Sequence, residues 1–147
     1  MVDEAADQRI RQQASALPCV FQGALQARQA VCELAVRQSL AERELLVCAQ
    51  ATARINCETL ACLFHERATF PLRLHPGAPL THATALRLQC GGLRGLQAVL
   101  TSPRADVHQM VQQAQRVHGS LVSLPWSQLV ASIVNWQPQR RTGPKPP

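Results

Sequence analysis

Six cysteines, Cys19, Cys32, Cys48, Cys57, Cys62 and Cys90, carry most of the reactive chemistry of this 147-residue chain. Thiolates are nucleophiles and soft metal ligands. In a reducing compartment, thiols scattered in this way point to a metal or cluster site, or to reactive cysteines, rather than to a disulfide frame. No C-x-x-C pair occurs. That weighs against zinc fingers, simple ferredoxins and thiol–disulfide enzymes. Dispersed ligands on a helical scaffold suit a bulky cluster better than a single zinc ion. The expected cofactor is therefore an iron–sulfur cluster of the four-iron four-sulfur type, with zinc as the alternative. Buried thiols acting only as small hydrophobes are the plainest competing reading.

Ligands far apart in sequence converge most readily at the ends of elements, so the elements decide which cysteines can meet. Phe21, Leu25, Arg28, Cys32 and Ala35 follow helical spacing, which turns Cys32 inward. Ser39 and Glu42 read as a capping box opening a helix from Leu40 to about Ala49, with Cys48 in its last turn. Thr52 caps a third helix carrying Ile55, Leu60, Leu63 and Phe64, with Cys57 near its start. Phe70, Leu72 and Leu74, and then Leu86, Leu88 and Cys90, alternate with polar residues around the turn-rich HPGAPLTHAT. That pattern predicts a β-hairpin over about residues 69–90.

Cys90-Gly91-Gly92 would then leave a strand and open a helix. Its free amides and dipole would favour a thiolate, and the glycines would admit a bulky group. The expected metal ligands are Cys32, Cys48, Cys57 and Cys90, with Gly91 and Gly92 lining the cofactor. Cys62 points about 140° away from Cys57 on a helix and reads as core. Cys19 follows Pro18, outside these elements, and is the least expected ligand.

The rest of the chain reads as helix. Asp3–Ser15 forms a loose helix. Ser102-Pro103 restarts a helix bearing Val107, Met110, Val111, Ala114 and Val117, which Gly119 ends. Ser123 caps a last helix with Trp126, Leu129, Val130, Ile133 and Val134 on one side. The fold class is mostly α: a compact bundle of five or six helices with a short β-hairpin. Residues 1–137 form one domain and 138–147 a disordered, basic, Pro-rich tail with Arg140, Arg141 and Lys145.

Other motifs fall short. His65-Glu66 lacks the second histidine of a zinc protease, and no nucleophile elbow, P-loop or dinucleotide fingerprint occurs. His65 and His82 are reserve ligands only. Gly91-Gly92-Leu93-Arg94-Gly95 could cradle a phosphate, or simply allow close packing. No run is long enough to span a bilayer. The polar N-terminus, MVDEAADQRIRQQ, lacks a signal-like apolar stretch, so a cytoplasmic location is expected. Aromatics make up 3% of residues and tyrosine is absent, so Leu, Val, Ile and Ala must fill the core. A net charge of +6 draws anionic partners without choosing among them.

The segments AVCELA, AERE, CLFHERATFPLRL and LQCGGLRGLQ resemble a small family of bacterial four-cysteine proteins without a settled function. The resemblance runs over roughly residues 20–136 and implies that Cys32, Cys48, Cys57 and Cys90 matter together. The expected function is non-enzymatic: a small iron–sulfur protein in electron transfer, redox sensing or as a cluster-bearing subunit, working with a protein partner. The alternative is a basic nucleic-acid-binding or regulatory interaction module with structural zinc or unmetallated core cysteines.

Overall fold

The computed structural model describes residues 17–138. Their elements are α1 (Gln22–Gln26), β1 (Ala35–Leu40), β2 (Arg43–Cys48), α2 (Ala51–Ala68), α3 (His82–Leu100), α4 (Val107–His118), a 3₁₀ turn (Leu121–Ser123) and α5 (Trp126–Asn135). The fold is mostly helical, with one two-stranded antiparallel sheet. The helix expected over Asp3–Ser15 and the tail from residue 139 lie outside the described residues.

The hairpin exists, but at residues 35–48 rather than 69–90. The long helix expected through Cys32 stops at Gln26. Arg28 takes a left-handed φ of 59°, and the Gln29 amide donates back to the Ala24 carbonyl. A left-handed residue with such a back-bond is a helix stop. The capping box at Ser39–Glu42 is instead a reversal: Leu40 pairs with Arg43, and Ala41 sits at φ 56° between them. Val36 faces Val47 across the strands. β-branched pairs suit a pleated surface, and here they override the local helix signal.

Around residue 69 the chain turns again. Arg73 is left-handed, and the Leu74 amide donates to the Thr69 carbonyl. No strand follows: Thr81 accepts from the Thr84 amide and starts α3 at His82. The apparent alternation through Leu86, Leu88 and Cys90 arises because α3 is the central helix, buried over a wide face that takes in Leu88, Cys90, Leu93, Leu96 and Leu100.

Two glycines let α5 close on α3. A Cβ at Gly91 would stand 2.7 Å from Ile133 Cα, and one at Gly95 would stand 2.8 Å from Ser132 Cβ. Ser132 Oγ donates to the Gly91 carbonyl at 2.8 Å. Phe64 of α2 lies over Gly92 and links Phe21 and Trp126 through ring contacts at 6.0 Å each.

Ser102-Pro103 does not restart the helix. Asp106, 2% exposed, caps α4 instead, with Oδ1 accepting from the Gln109 amide. Gly119 ends α4 at φ 81°, as expected.

Candidate metal-thiolate site

Four separate segments bring Cys19, Cys32, Cys48 and Cys57 to one small, mainly apolar cavity of about 20 Å³, which Arg54 and His108 also line. Cys19 arrives on an extended segment laid along β2: its amide donates to the Leu46 carbonyl at 2.7 Å, and Pro18 bridges Val47. Cys48 ends β2, opposite Ala35. Its thiol donates to the Gln50 carbonyl at 3.1 Å. Cys57 projects from the second turn of α2, three residues after Arg54.

Cys32 is delivered by a clamp onto the start of α4. The Val31 amide donates to the Ala105 carbonyl, and the Val107 amide donates to the Val31 carbonyl, at 2.9 and 2.8 Å. Asp106 Oδ2 accepts from the Glu33 amide at 3.1 Å while Oδ1 caps the helix. A buried carboxylate with both oxygens bonded to amides fixes its surroundings firmly.

The electrostatics agree with this convergence. Burial pushes the Cys19 thiol up, opposed by the Phe21 amide that bonds its sulfur; nearby Cys32 and Cys48 raise it further, and Arg54 lowers it. Burial also raises Cys32, against hydrogen bonds from the Leu34 and His108 amides, while Asp106 and Cys48 add to the rise. Cys57 is pushed up to about 12, by burial first and then by Cys19, Cys32 and Cys48, with Arg54 opposing. Without a cation these thiols keep their protons. A bound metal would take thiolates and release protons to solvent.

The Phe21, Leu34 and His108 amides, which oppose the rise of the Cys19 and Cys32 thiols, are donors of the kind a metal thiolate uses. Arg54 Nε donates to the Pro18 carbonyl at 3.1 Å and the guanidinium pairs with Glu58, so the charge is held beside Cys19 and Cys57. His108 Nε2 stands 3.7 Å from Glu33 Oε1. Among the described residues, no three His, Cys, Asp or Glu side chains already stand at the spacing of a single metal ion.

Of the expected ligands, Cys32, Cys48 and Cys57 line the cavity, and Cys90 does not. Cys90 lies mid-helix in the core, 2% exposed, and burial alone pushes its thiol up to about 11. The reason is the helical start at Thr81, which puts Cys90 far from any helix N-terminus. Gly91 and Gly92 accordingly serve packing against α5 and Phe64 and present no free amides to a cofactor.

Cys19 takes the vacated place. The four converging cysteines are the first four in the chain, but nothing in the local sequence around Cys19 places it here. Cys62, read as core, is exposed. It borders a separate apolar cleft of about 270 Å³ with His65, Phe21 and Phe64. His65 and His82 do not line the thiol cavity, and Arg140, Arg141 and Lys145 lie outside the described residues. No described helix is long and apolar enough to cross a membrane. No protein-family model, curated protein or solved structure matches this chain.

Proposed function

We propose that this chain is a small iron–sulfur protein whose cluster is held by Cys19, Cys32, Cys48 and Cys57. One observation carries the reading: four thiols from four segments border a single cavity. A cluster spreads its thiolates further apart than one ion does. Amide donors to sulfur stabilise the anionic centre and tune its potential. The cluster, of the four-iron four-sulfur type, serves electron transfer, redox sensing or a larger complex in the cytoplasm. The partner is a protein, and the net charge of +6 favours one with an acidic face.

The size of the cavity favours a second reading. At about 20 Å³ it is small, so the thiols would have to move less to close on one ion than to rotate outward around a cluster. Zinc would draw all four sulfurs to about 2.3 Å from one point and pin the hairpin to the helices.

Metal and sulfide analysis of anaerobically purified protein separates the two. The cluster reading expects brown protein with about four iron and about four acid-labile sulfides per chain. Colourless protein with one zinc per chain sinks it. Cys19→Ser and Cys57→Ser should lose the iron, and Cys90→Ser should keep it. Iron retained by Cys19→Ser would overturn this ligand set.

A further inference from the structure

The cleft beside Cys62 is separate from the thiol cavity and measures about 270 Å³, near the lower end of the range for small-molecule sites. Ala61 of α2, Ala85 and Leu88 of α3, and Leu80 from the loop before α3 make it mainly apolar. Phe21 and Phe64 also border it and are 0% and 1% exposed, so the packed core fixes its shape. Leu80 stays 38% exposed, which leaves apolar surface for a ligand to cover. Two polar side chains interrupt this lining. Gln89 Oε1 accepts from the Ala24 amide at 3.0 Å, which holds the carboxamide in place. Its Nε2 and the His65 ring bond to no other described residue. Every buried side-chain nitrogen and oxygen among the described residues has a partner, so these two groups stand open to solvent or to a ligand. Both can donate an N–H to an oxygen. No Asp or Glu borders the cleft, and the chain carries a net charge of +6, so an anionic head group meets no repulsion there.

We propose that this cleft binds a medium-chain fatty acid, its tail lying along Ala61, Ala85 and Leu88 and its carboxylate accepting hydrogen bonds from Gln89 and His65. The volume holds about nine water-sized groups, which suits a chain of about eight carbons. Water in an apolar recess lacks partners, so the tail gains affinity by displacing it. The inference does not depend on the metal reading above, because none of the four cavity cysteines borders this cleft. Cys62 borders it and is exposed, so its thiol reports whether the cleft is filled.

The experiment follows alkylation of Cys62 by iodoacetamide in the full-length protein, read by peptide mass spectrometry, with sodium butyrate, hexanoate, octanoate or dodecanoate added. Protection should saturate. Affinity should rise by about twofold to fourfold per methylene up to octanoate and then level off, once the cleft is full. Octanol, with the same tail and no charge, should bind about tenfold more weakly. His65→Leu should shrink that difference, and His65→Gln, which keeps an N–H donor, should retain most of it. Ala85→Trp fills the cleft and should abolish protection, with circular dichroism showing that the helices persist. Should that variant fail to fold, the chain-length series on wild type decides. Four results overturn the inference: no saturable protection of Cys62 by octanoate, affinity that keeps climbing to dodecanoate as surface adsorption gives, equal binding of octanoate and octanol, or protection retained in folded Ala85→Trp.

Discussion

The two ends of this molecule use cysteine in opposite ways. Along the α3–α5 seam, Cys90 is one more apolar side chain between Gly91, Leu93 and Leu96, and glycine brings the backbones almost into contact. Around the hairpin, Cys19, Cys32, Cys48 and Cys57 face a small cavity, and Val47 is the one buried residue among those described in the two strands. The first region is secured by interdigitated apolar surface. The second is secured by hydrogen bonds between short segments, which gain less from burial. The bundle carries its own stability, and on the proposed reading the thiol end would draw a share of its stability from a bound metal.

The largest effect should come from the seam. Leu96→Ala, at a position 0% exposed, should cost about 2–5 kcal/mol in chemical unfolding. Gly91→Ala comes next, at about 1–3 kcal/mol, because the added carbon meets the Ile133 backbone. Both variants should keep their full metal content per folded chain, and loss of metal from Gly91→Ala would break the division between the two ends.

Metal removal should act on the other end alone. Hairpin amides should exchange at least about tenfold faster, equivalent to about 1.4 kcal/mol, with α3 amides unchanged. Equal acceleration in α3 would mean that the ends unfold as one unit.

Alkali offers a finer comparison. A thiol whose pKa rises on folding stabilises the native state below its ordinary value of 9.0, and this is lost as pH climbs toward the folded value. Metal-free protein should therefore lose stability from pH 9.0 to about 12 through Cys57, and from 9.0 to about 11 through Cys90. In loaded protein the Cys57 share should vanish, since that thiol is already ionised, while the Cys90 share persists. The smallest effect belongs to Cys62→Ser, which should leave melting temperature and metal unchanged. Its thiol is exposed and should be the first alkylated by iodoacetamide, with Cys90 the last.

The sequence was legible where one helical period was clear, although the caps expected at Thr52 and Ser123 are not used: α2 starts after Gln50 and α5 after Pro125, neither with a side-chain cap. Residues 51–68, the stop at Gly119 and the apolar stripe of Trp126, Leu129 and Ile133 needed nothing from elsewhere in the chain. It misled where tertiary contacts chose between two local readings. Ser39 and Glu42 suit a cap, but cross-strand pairing made their segment a turn. Leu86, Leu88 and Cys90 suit a strand, but burial on nearly all sides also suits a central helix. Three of the four cavity cysteines could be chosen from their nearness to element ends. Cys19 could not, because its place depends on the bridge between Pro18 and Val47, a long-range pairing with no local signature.

The bridge between Val31 and Asp106 also dictates an order of assembly. Every cavity sulfur has been synthesised once residue 57 is made, whereas the amide from His108 and the carboxylate that holds the Cys32 loop come some fifty residues later. A nascent chain thus offers four thiols before it can position them. On the proposed reading, whatever loads this site would meet either an open, oxidisable set of cysteines or a finished cup, and the synthesis of α4 marks the change from one to the other.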